Sequence, residues 1–584
     1  MSNITFPSRE AMRHLRVPFT RADAVLILGF LALLVIVTYV GAGLFVPFVP
    51  NIAEPPPINL DPRYLPYYLA RSTMRMFIAL FFSLIFTFVY GYIAANSRRA
   101  EKVMIPLLDI LQSVPVLGFL SVTITGFIAL FRGSLLGLEA ASIFAIFTAQ
   151  VWNMTFSFYQ SMRMAPNELR EATAIYRLPR WQRFVKLEAP NSAIGLVWNM
   201  MMSFGGGWFF VAASETIVVL NHQYVLPGIG SYVTEAIAQQ DLRAIVAAIV
   251  AMAIMILLMD QLVWRPLIAW TNKFKYEQSG GQDAPRSWLL DLFRRAQLPA
   301  RISRLLAPFG EMVNQRLSGT ARGGQNTEMP RAARPPWRYA DLAFNLVVGL
   351  VVFGCVLFLL QFIFSEVGVE EVIETFGLGL ATLLRVVILV VGSTLIFVPL
   401  GVAIGFNPRL SRIIQPFAQF MASFPANFLY PFITLFLITY SISLNVASIL
   451  LMALGAVWYV LFNVIAGAQS VPSDLREMTA NMGVRGWQLW KRLILPAIFS
   501  AWVTGGITAS GGAWNASIVA ETVSWGDVTL TAVGLGAYIR AATEQGDWPR
   551  IALGVGMMSL FVVGFNRLLW RRLYLLAEKK FTLG

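Results

Sequence analysis

Runs of about twenty apolar residues, each long enough as a helix to cross a ~30 Å hydrocarbon layer, recur along the whole chain. They fall near residues 22–47, 73–95, 103–131, 140–162, 192–220 and 243–265, and again near 341–364, 379–405, 413–440, 445–468, 497–523 and 551–571. Sustained alternation of apolar and polar positions, the mark of a membrane β-barrel, is absent. The pattern therefore predicts an all-α polytopic membrane protein with about twelve transmembrane helices. Composition agrees: of 584 residues 57% are hydrophobic and 13% charged, with a mean hydropathy of +0.65, far from an ordinary soluble domain.

The pattern also repeats. With a shift of 310, Arg75 falls on Arg385, Gly91 on Gly401, Pro106 on Pro416, Ser113 on Ser423 and Pro115 on Pro425. With a shift of 306, Trp152 falls on Trp458, Pro166 on Pro472, Trp208 on Trp514, Glu215 on Glu521 and Trp264 on Trp570. Shared apolar composition does not align prolines, glycines and tryptophans over such distances, so the chain reads as two copies of one design. Each copy holds about six spans, an even number, so the copies run parallel, related by a pseudo-two-fold axis along the membrane normal with a pathway between them. The first repeat is residues 1–265, the join 266–337 and the second repeat 338–584. Gly280, Gly281, Gly323 and Gly324 mark flexible points in the join. Within it, SWLLDLFRR from Ser287 sets Trp288, Leu289, Leu292 and Phe293 on one helical face, which suits either a solvated linker or a helix on the inner leaflet.

Charge fixes the sidedness. The formal net charge is +14, and Arg265 to Arg338 carries thirteen Lys or Arg against five Asp or Glu. No aromatic–basic pattern goes with this surplus, so nucleic acid is excluded as a partner and the charges hold loops in the cytoplasm. Arg13, Arg16 and Arg21 before the first span, and Arg98, Arg99 and Lys102 after the second, point the same way. Both termini are then cytoplasmic, and Pro47 to Arg71 lies outside. The first span has no small-residue cleavage site after it and reads as a retained anchor. Cys355 is the single cysteine and, set in an apolar run, reads as inert packing; with only His14 and His222 present, no histidine metal site is expected.

Two polar stretches interrupt the hydrocarbon, NELREATAIYRLPRWQRFVKLEAP ending at Pro190 and SDLREMTANMGVRGWQLWKRLILP ending at Pro496. Each predicts a helix, a turn and a second helix, and by span count both fall in the cytoplasm. Pro166 with Glu168, and Pro472 with Asp474, suit a first helical turn; Gly483 suits the stop. These stretches resemble the cytoplasmic loop of the inner-membrane permease subunits of binding-protein-dependent ABC importers: EAA, three residues, Gly, nine residues, then I-x-L-P. The second copy matches at Glu477, Gly483 and Leu493 to Pro496. The first matches at Glu171 and Ala172 but has Arg177 in place of the Gly and Ala189 in place of the Leu. The resemblance implies a type I importer permease in a bacterial inner membrane, with a cytoplasmic ABC ATPase dimer and a periplasmic or tethered binding protein as partners. It also implies that Arg170, Glu171 and Ala172, with Arg476, Glu477 and Gly483, couple the chain to that ATPase. No lysine follows a glycine, so the phosphate-cradling loop of a nucleotide site is missing; the chain is read as a transport subunit without a cofactor, not an enzyme.

Charges inside a membrane call for a role. Arg75 with Glu215, and Arg385 with Glu521, are the expected ion pairs, the alternative being that the arginines attract an anionic solute. FGGGWFFVAASET from Phe204 and SGGAWNASIVAET from Ser510 are glycine-rich stretches where helices pack closely or break. Trp208, Trp514 and Asn515 are the candidates for a translocation path. With the following PGIGSYV and VGLGAYI, these stretches resemble the nitrate, sulfonate, taurine and bicarbonate branch of the same permeases, which implies a small anion or organic acid as solute. The rival is an ion-driven secondary transporter, which requires mid-membrane acids that the spans do not supply.

Overall fold

A computed structural model describes residues 20–45, 57–114, 116–131, 135–163, 167–176, 178–219, 222–274, 287–304, 307–308, 312 and 338–580. Arg13, Arg16, His14, Pro47, Pro115, Pro166, Arg177, the four linker glycines and both chain ends lie outside them. The first half comprises α1 (Arg21–Phe45), α2 (Leu65–Asn96), α3 (Arg98–Ser113), α4 (Leu120–Leu130), α5 (Leu136–Arg163), α6 (Asn167–Ile175), α7 (Ala189–Ser214), α8 (Ile229–Ala238), α9 (Leu242–Met259) and α10 (Arg265–Thr271). After α11 (Trp288–Arg295) the same series returns as α12 (Arg338–Ile363), α13 (Val369–Gly405), α14 (Pro408–Ser423), α15 (Tyr430–Tyr440), α16 (Leu444–Gln469), α17 (Ser473–Asn481), α18 (Leu495–Ala520), α19 (Leu535–Gln545), α20 (Trp548–Phe565) and α21 (Arg571–Lys580).

Among the described residues nine helices are long and apolar enough to cross a membrane, against the twelve spans expected. The expected span at 413–440 is a broken one: α14 and the segment leading into α15 meet at 85°. The cause is local. A proline forbids the helical conformation to the residue before it, and Phe424, before Pro425, is extended at φ −76°, ψ 130°. Val114, before Pro115, is extended likewise, and the expected span at 103–131 divides into α3, a short 3-10 turn and α4. These divided elements still carry the chain back across the bundle. Arg75, Ser83 and Thr87 of α2 bond Glu139, Phe147 and Thr155 of α5 in ascending order, so α2 and α5 run parallel. In the second half Arg385 bonds Asn445, while Gly401 and Gly405 of α13 pack on Val464 and Ala468 of α16, again in parallel. Hence α2 and α5 finish at one end, where Arg98, Arg99 and Lys102 stand, and the polar loops leave from the ends of α5 and α16.

Helices α7 and α18 stop at Ser214 and Ala520, short of the expected 220 and 523, and each is followed by a two-stranded antiparallel hairpin. These are β1 (Thr216–Val219) with β2 (His222–Val225), and β3 (Thr522–Trp525) with β4 (Val528–Thr531). The register pairs Thr216 with Val225 and Thr522 with Thr531, and Gly526 turns the second hairpin at φ +56°, a conformation that favours glycine. The described residues pack as two compact units: one gathers those within Met1–Phe45, Ser157–Trp198 and Leu258–Arg334, the other the rest of the described residues. The larger unit holds a continuous core in which Leu451, Val460, Val503, Trp514 and Trp570 are buried. Cys355 is exposed, not packed as expected, because α12 lies at the edge of that unit with most of its apolar surface uncovered.

Candidate functional site

Each polar loop starts as a short helix and reverses in the same way. In the second copy α17 ends at Asn481, Gly483 takes φ +67°, and the Val484 N–H donates to the Thr479 carbonyl at 3.0 Å. That bond spans a left-handed residue and satisfies one of the carbonyls orphaned at a helix end. In the first copy the Leu178 N–H donates to the Thr173 carbonyl at 3.0 Å, so the equivalent closing bond forms without the glycine. Glu171 and Glu477 are exposed, Ala172 is half-buried, and Arg476 lays its guanidinium over the Phe406 ring at 5.4 Å; the side chain of Arg170 lies outside the described residues. Apolar side chains on these loops also face outward: Ile175 and Tyr176 are 79% and 77% exposed, Met482 and Trp487 69% and 72%.

Beyond the turn the expected second helix is present, but its π-helical form was missed by sequence reasoning. After one helical turn, residues Phe184–Glu188 and Trp490–Ile494 form π-helical turns, each feeding directly into α7 or α18. A second matched pair, Asp260–Trp264 and Asn566–Trp570, interrupts the last long helix of each half. Such turns hold one extra residue per helical turn and concentrate at functional positions. Trp570, on the second of these, is buried against α18 where Gly506 leaves no room for a Cβ. No residue type announces a π turn. Both pairs keep the shift of 306, but so do the α-helical residues around them, so register does not mark the π turns.

At the other end of each bundle lies a buried charge network. Arg75 donates from Nη1 to Glu215 Oε1 at 2.6 Å and from Nε and Nη2 to Glu139 at 2.6 and 2.8 Å. Arg71 donates to the same Glu139 at 2.5 Å. Glu215 also accepts from Ser72 Oγ at 2.5 Å and from the Gly230 N–H at 2.7 Å. In the second half Arg385 Nη1 lies 2.7 Å from Glu521, which accepts further from Thr382 at 2.8 Å and from the Gly536 N–H at 2.7 Å. A Cβ on Gly228 or Gly534 would run into the respective carboxylate. Each glutamate thus ties three elements together: the long second helix, the end of the glycine-rich helix and the start of α8 or α19. A buried ion is costly unless paired and hydrogen-bonded; both carboxylates are, whereas Arg71 leaves its Nε and Nη1 without a partner.

The glycine-rich helices are unbroken, and their glycines serve close approach. A Cβ on Gly205 would meet Ser423 at the bend of the second half, and one on Gly206 would lie 3.1 Å from the Tyr459 hydroxyl. Asn515 reaches the other way, its Oδ1 accepting the Val116 N–H at 3.0 Å, at the break of the first half. The glycine-rich helix of each half thus meets the broken element of the other. Trp208 and Trp514 are fully buried against their own halves, Trp208 edge-on to Phe204 and Trp514 stacked on Phe561. The structure therefore sets Asn515 at the junction between halves and the two tryptophans within them.

Residues 87–263 and 396–573, together more than half of the chain, match the family model described as binding-protein-dependent transport system inner membrane component. The chain is 26% identical over 163 residues to the bicarbonate transport system permease protein CmpB of Synechococcus elongatus, covering 28% of this chain and 55% of the relative. It is 20% identical over 173 residues to the nitrate import permease protein NrtB of a Synechocystis species, covering 30% and 58%. With the putative aliphatic sulfonates transport permease protein SsuC of Bacillus subtilis it shares 28% over 179 residues, covering 30% and 60%. The chain thus spans a little over half the length of these relatives.

Proposed function

The chain belongs to the binding-protein-dependent transport system inner membrane components, and from that premise we propose that it is both permease halves of an ATP-driven importer fused in one polypeptide. Residues 1–265 and 338–584 are the two repeats and 266–337 the join. The basic end of the bundles faces the cytoplasm with both termini. An ATPase dimer closes on nucleotide there, moves the two polar loops, and the repeats alternate access to a path between them. A binding protein delivers the solute to the opposite face of the inner membrane.

The observation that carries this reading is the pair of loops. Each presents an exposed acidic residue, Glu171 or Glu477, beside exposed apolar side chains. Exposed apolar groups outside the membrane, rimmed by polar ones, mark a surface that a partner covers. Each loop then enters, through a π turn, the glycine-rich helix that meets the other half. Arg170, Ala172, Arg476 and Gly483 shape and orient these loops. Asn515 is the polar member of the path, with Trp208 and Trp514 holding its walls. The solutes for which these relatives are named, bicarbonate, nitrate and aliphatic sulfonates, are oxygen-bearing anions, and we assign that class of solute here.

Mild solubilisation followed by mass measurement of the intact assembly tests the proposal. One copy of the chain with two copies of an ATPase is the expected result. The chain alone, with uptake surviving deletion of the ATPase, contradicts it and favours a carrier driven by an ion gradient.

A further inference from the structure

The join between the halves holds a folded segment. Ser287 caps α11 by accepting the Leu290 N–H, and a second helical stretch, 298–304, follows. Asp23, buried near the start of α1, accepts the Gln297 and Leu298 N–H groups at 2.8 and 2.7 Å. A carboxylate at a helix N-terminus satisfies its open donors and complements its dipole, so the segment is pinned to the first span. Helix α11 also packs on α10. The join is thus moored where two membrane-crossing helices, Arg21–Val40 and Leu242–Thr271, have their polar ends.

Moored there, α11 leaves apolar surface open. Leu289 and Leu292 are half-buried, while Trp288 and Phe293, flanking them on the same face, are 56% and 45% exposed. Arg295 borders that face beside Trp288 and Arg294 lies on the far side of the helix, both exposed. On α10 Trp270 is exposed, and Lys273 sets its ammonium 4.1 Å from the Trp270 ring centroid. Tryptophan and phenylalanine flanked by arginine and lysine at the end of a span is the composition of a membrane–water boundary whose lipids are acidic.

We propose that α11 and the end of α10 form a docking surface for anionic phospholipid of the membrane that the chain crosses. Trp288 and Phe293 enter the acyl boundary, and Arg295 and Lys273 hold headgroup phosphates. Loss of one such basic residue lowers the lipid-bound population about fivefold. The occupant is set by charge and place: a basic, aromatic face continuous with the ends of two spans meets lipid before any soluble partner. The claim is independent of the solute carried.

The test replaces Cys355 with serine, introduces Phe293→Cys, and attaches a nitroxide in the full chain reconstituted into nanodiscs. Collisions with oxygen report lipid and collisions with a soluble nickel chelate report water. With phosphatidylglycerol present the label is expected to favour oxygen, with phosphatidylcholine alone the chelate, and Lys273→Gln with Arg295→Gln is expected to erase the difference. A label open to the chelate in both lipids overturns the proposal, as does one shielded from both reagents, which indicates cover by protein such as the ATPase. Immersion that persists without anionic lipid or in the double variant overturns the anionic part. A nitroxide on native Cys355 of α12 verifies the fold, and Trp288→Cys replaces Phe293→Cys should the latter fail to fold.

Discussion

In the first half Arg75 meets Glu215 and shares Glu139 with Arg71, whereas in the second Arg385 meets Glu521 and the neutral Asn445. In register, Ala381 stands where Arg71 does and Asn445 where Glu139 does. One cation and one anion differ together, so each network remains neutral. What the halves share is Arg with Glu, a Ser or Thr hydroxyl and a glycine N–H, the set that fastens the second helix to the hairpin side of the bundle. Within this clasp the buried ions therefore change in balanced sets, and the Arg71–Glu139 pair is an addition to what the halves share.

The comparison can be broken most severely at Glu521. Glu521→Ala leaves Arg385 buried without an anion, at a cost of about 3–5 kcal/mol, read as a lower melting temperature of the detergent-solubilised protein. Glu215→Ala is expected to cost less, because Glu139 still holds Arg75 through two bonds. Equal losses would mean that the extra carboxylate gives no support. Next comes an exchange of patterns. Glu139→Asn alone leaves two buried arginines with one carboxylate and is expected to cost about 3 kcal/mol. Adding Arg71→Ala restores the balance of the second half and should recover most of that loss; a double variant no better than the single would end the idea of paired charges.

A smaller effect sharpens the contrast between the glycine-rich helices. Asn515→Ala strips the Val116 N–H of its acceptor and is expected to cost about 1–3 kcal/mol, whereas Phe209, its counterpart, offers no acceptor. Phe209→Ala should therefore leave the solute preference of uptake unchanged while Asn515→Ala alters it. The smallest stability change is expected on the loops. Glu171→Ala and Glu477→Ala lie on exposed surface and should shift stability by no more than about 0.5 kcal/mol. Affinity for the ATPase should nevertheless fall roughly tenfold, the loss of one charge-assisted hydrogen bond.

Much of this architecture was legible in the sequence because it was written twice. Apolar run length gave the helices, and matched Arg75/Arg385 and Glu215/Glu521 pointed to the residues that the fold brings together. Glu139 was overlooked although it opens an apolar run, because a single carboxylate at a helix start reads as a cap; its match to a neutral Asn445 hid the role. The bends were hidden differently. Pro115 and Pro425 were visible as matched residues, yet the apolar runs around them are long enough to read as straight spans. The π turns change no composition at all, so only coordinates reveal them. Gly483 was readable as a stop, while the equivalent reversal in the first loop forms without glycine, through a backbone bond that the side-chain pattern does not encode.

The central claim is that work enters this chain from a hydrolysing partner through two loops, and it is tested most directly in proteoliposomes holding the chain with its ATPase and binding protein. Uptake of labelled nitrate and bicarbonate is measured with and without ATP on the loop side, in the native chain and in the Glu171→Ala, Glu477→Ala double variant. Uptake of at least one anion is expected to require ATP and to be lost in the double variant while basal hydrolysis by the ATPase continues. Uptake that proceeds without ATP under an imposed ion gradient, unaffected by the double variant, would contradict that claim.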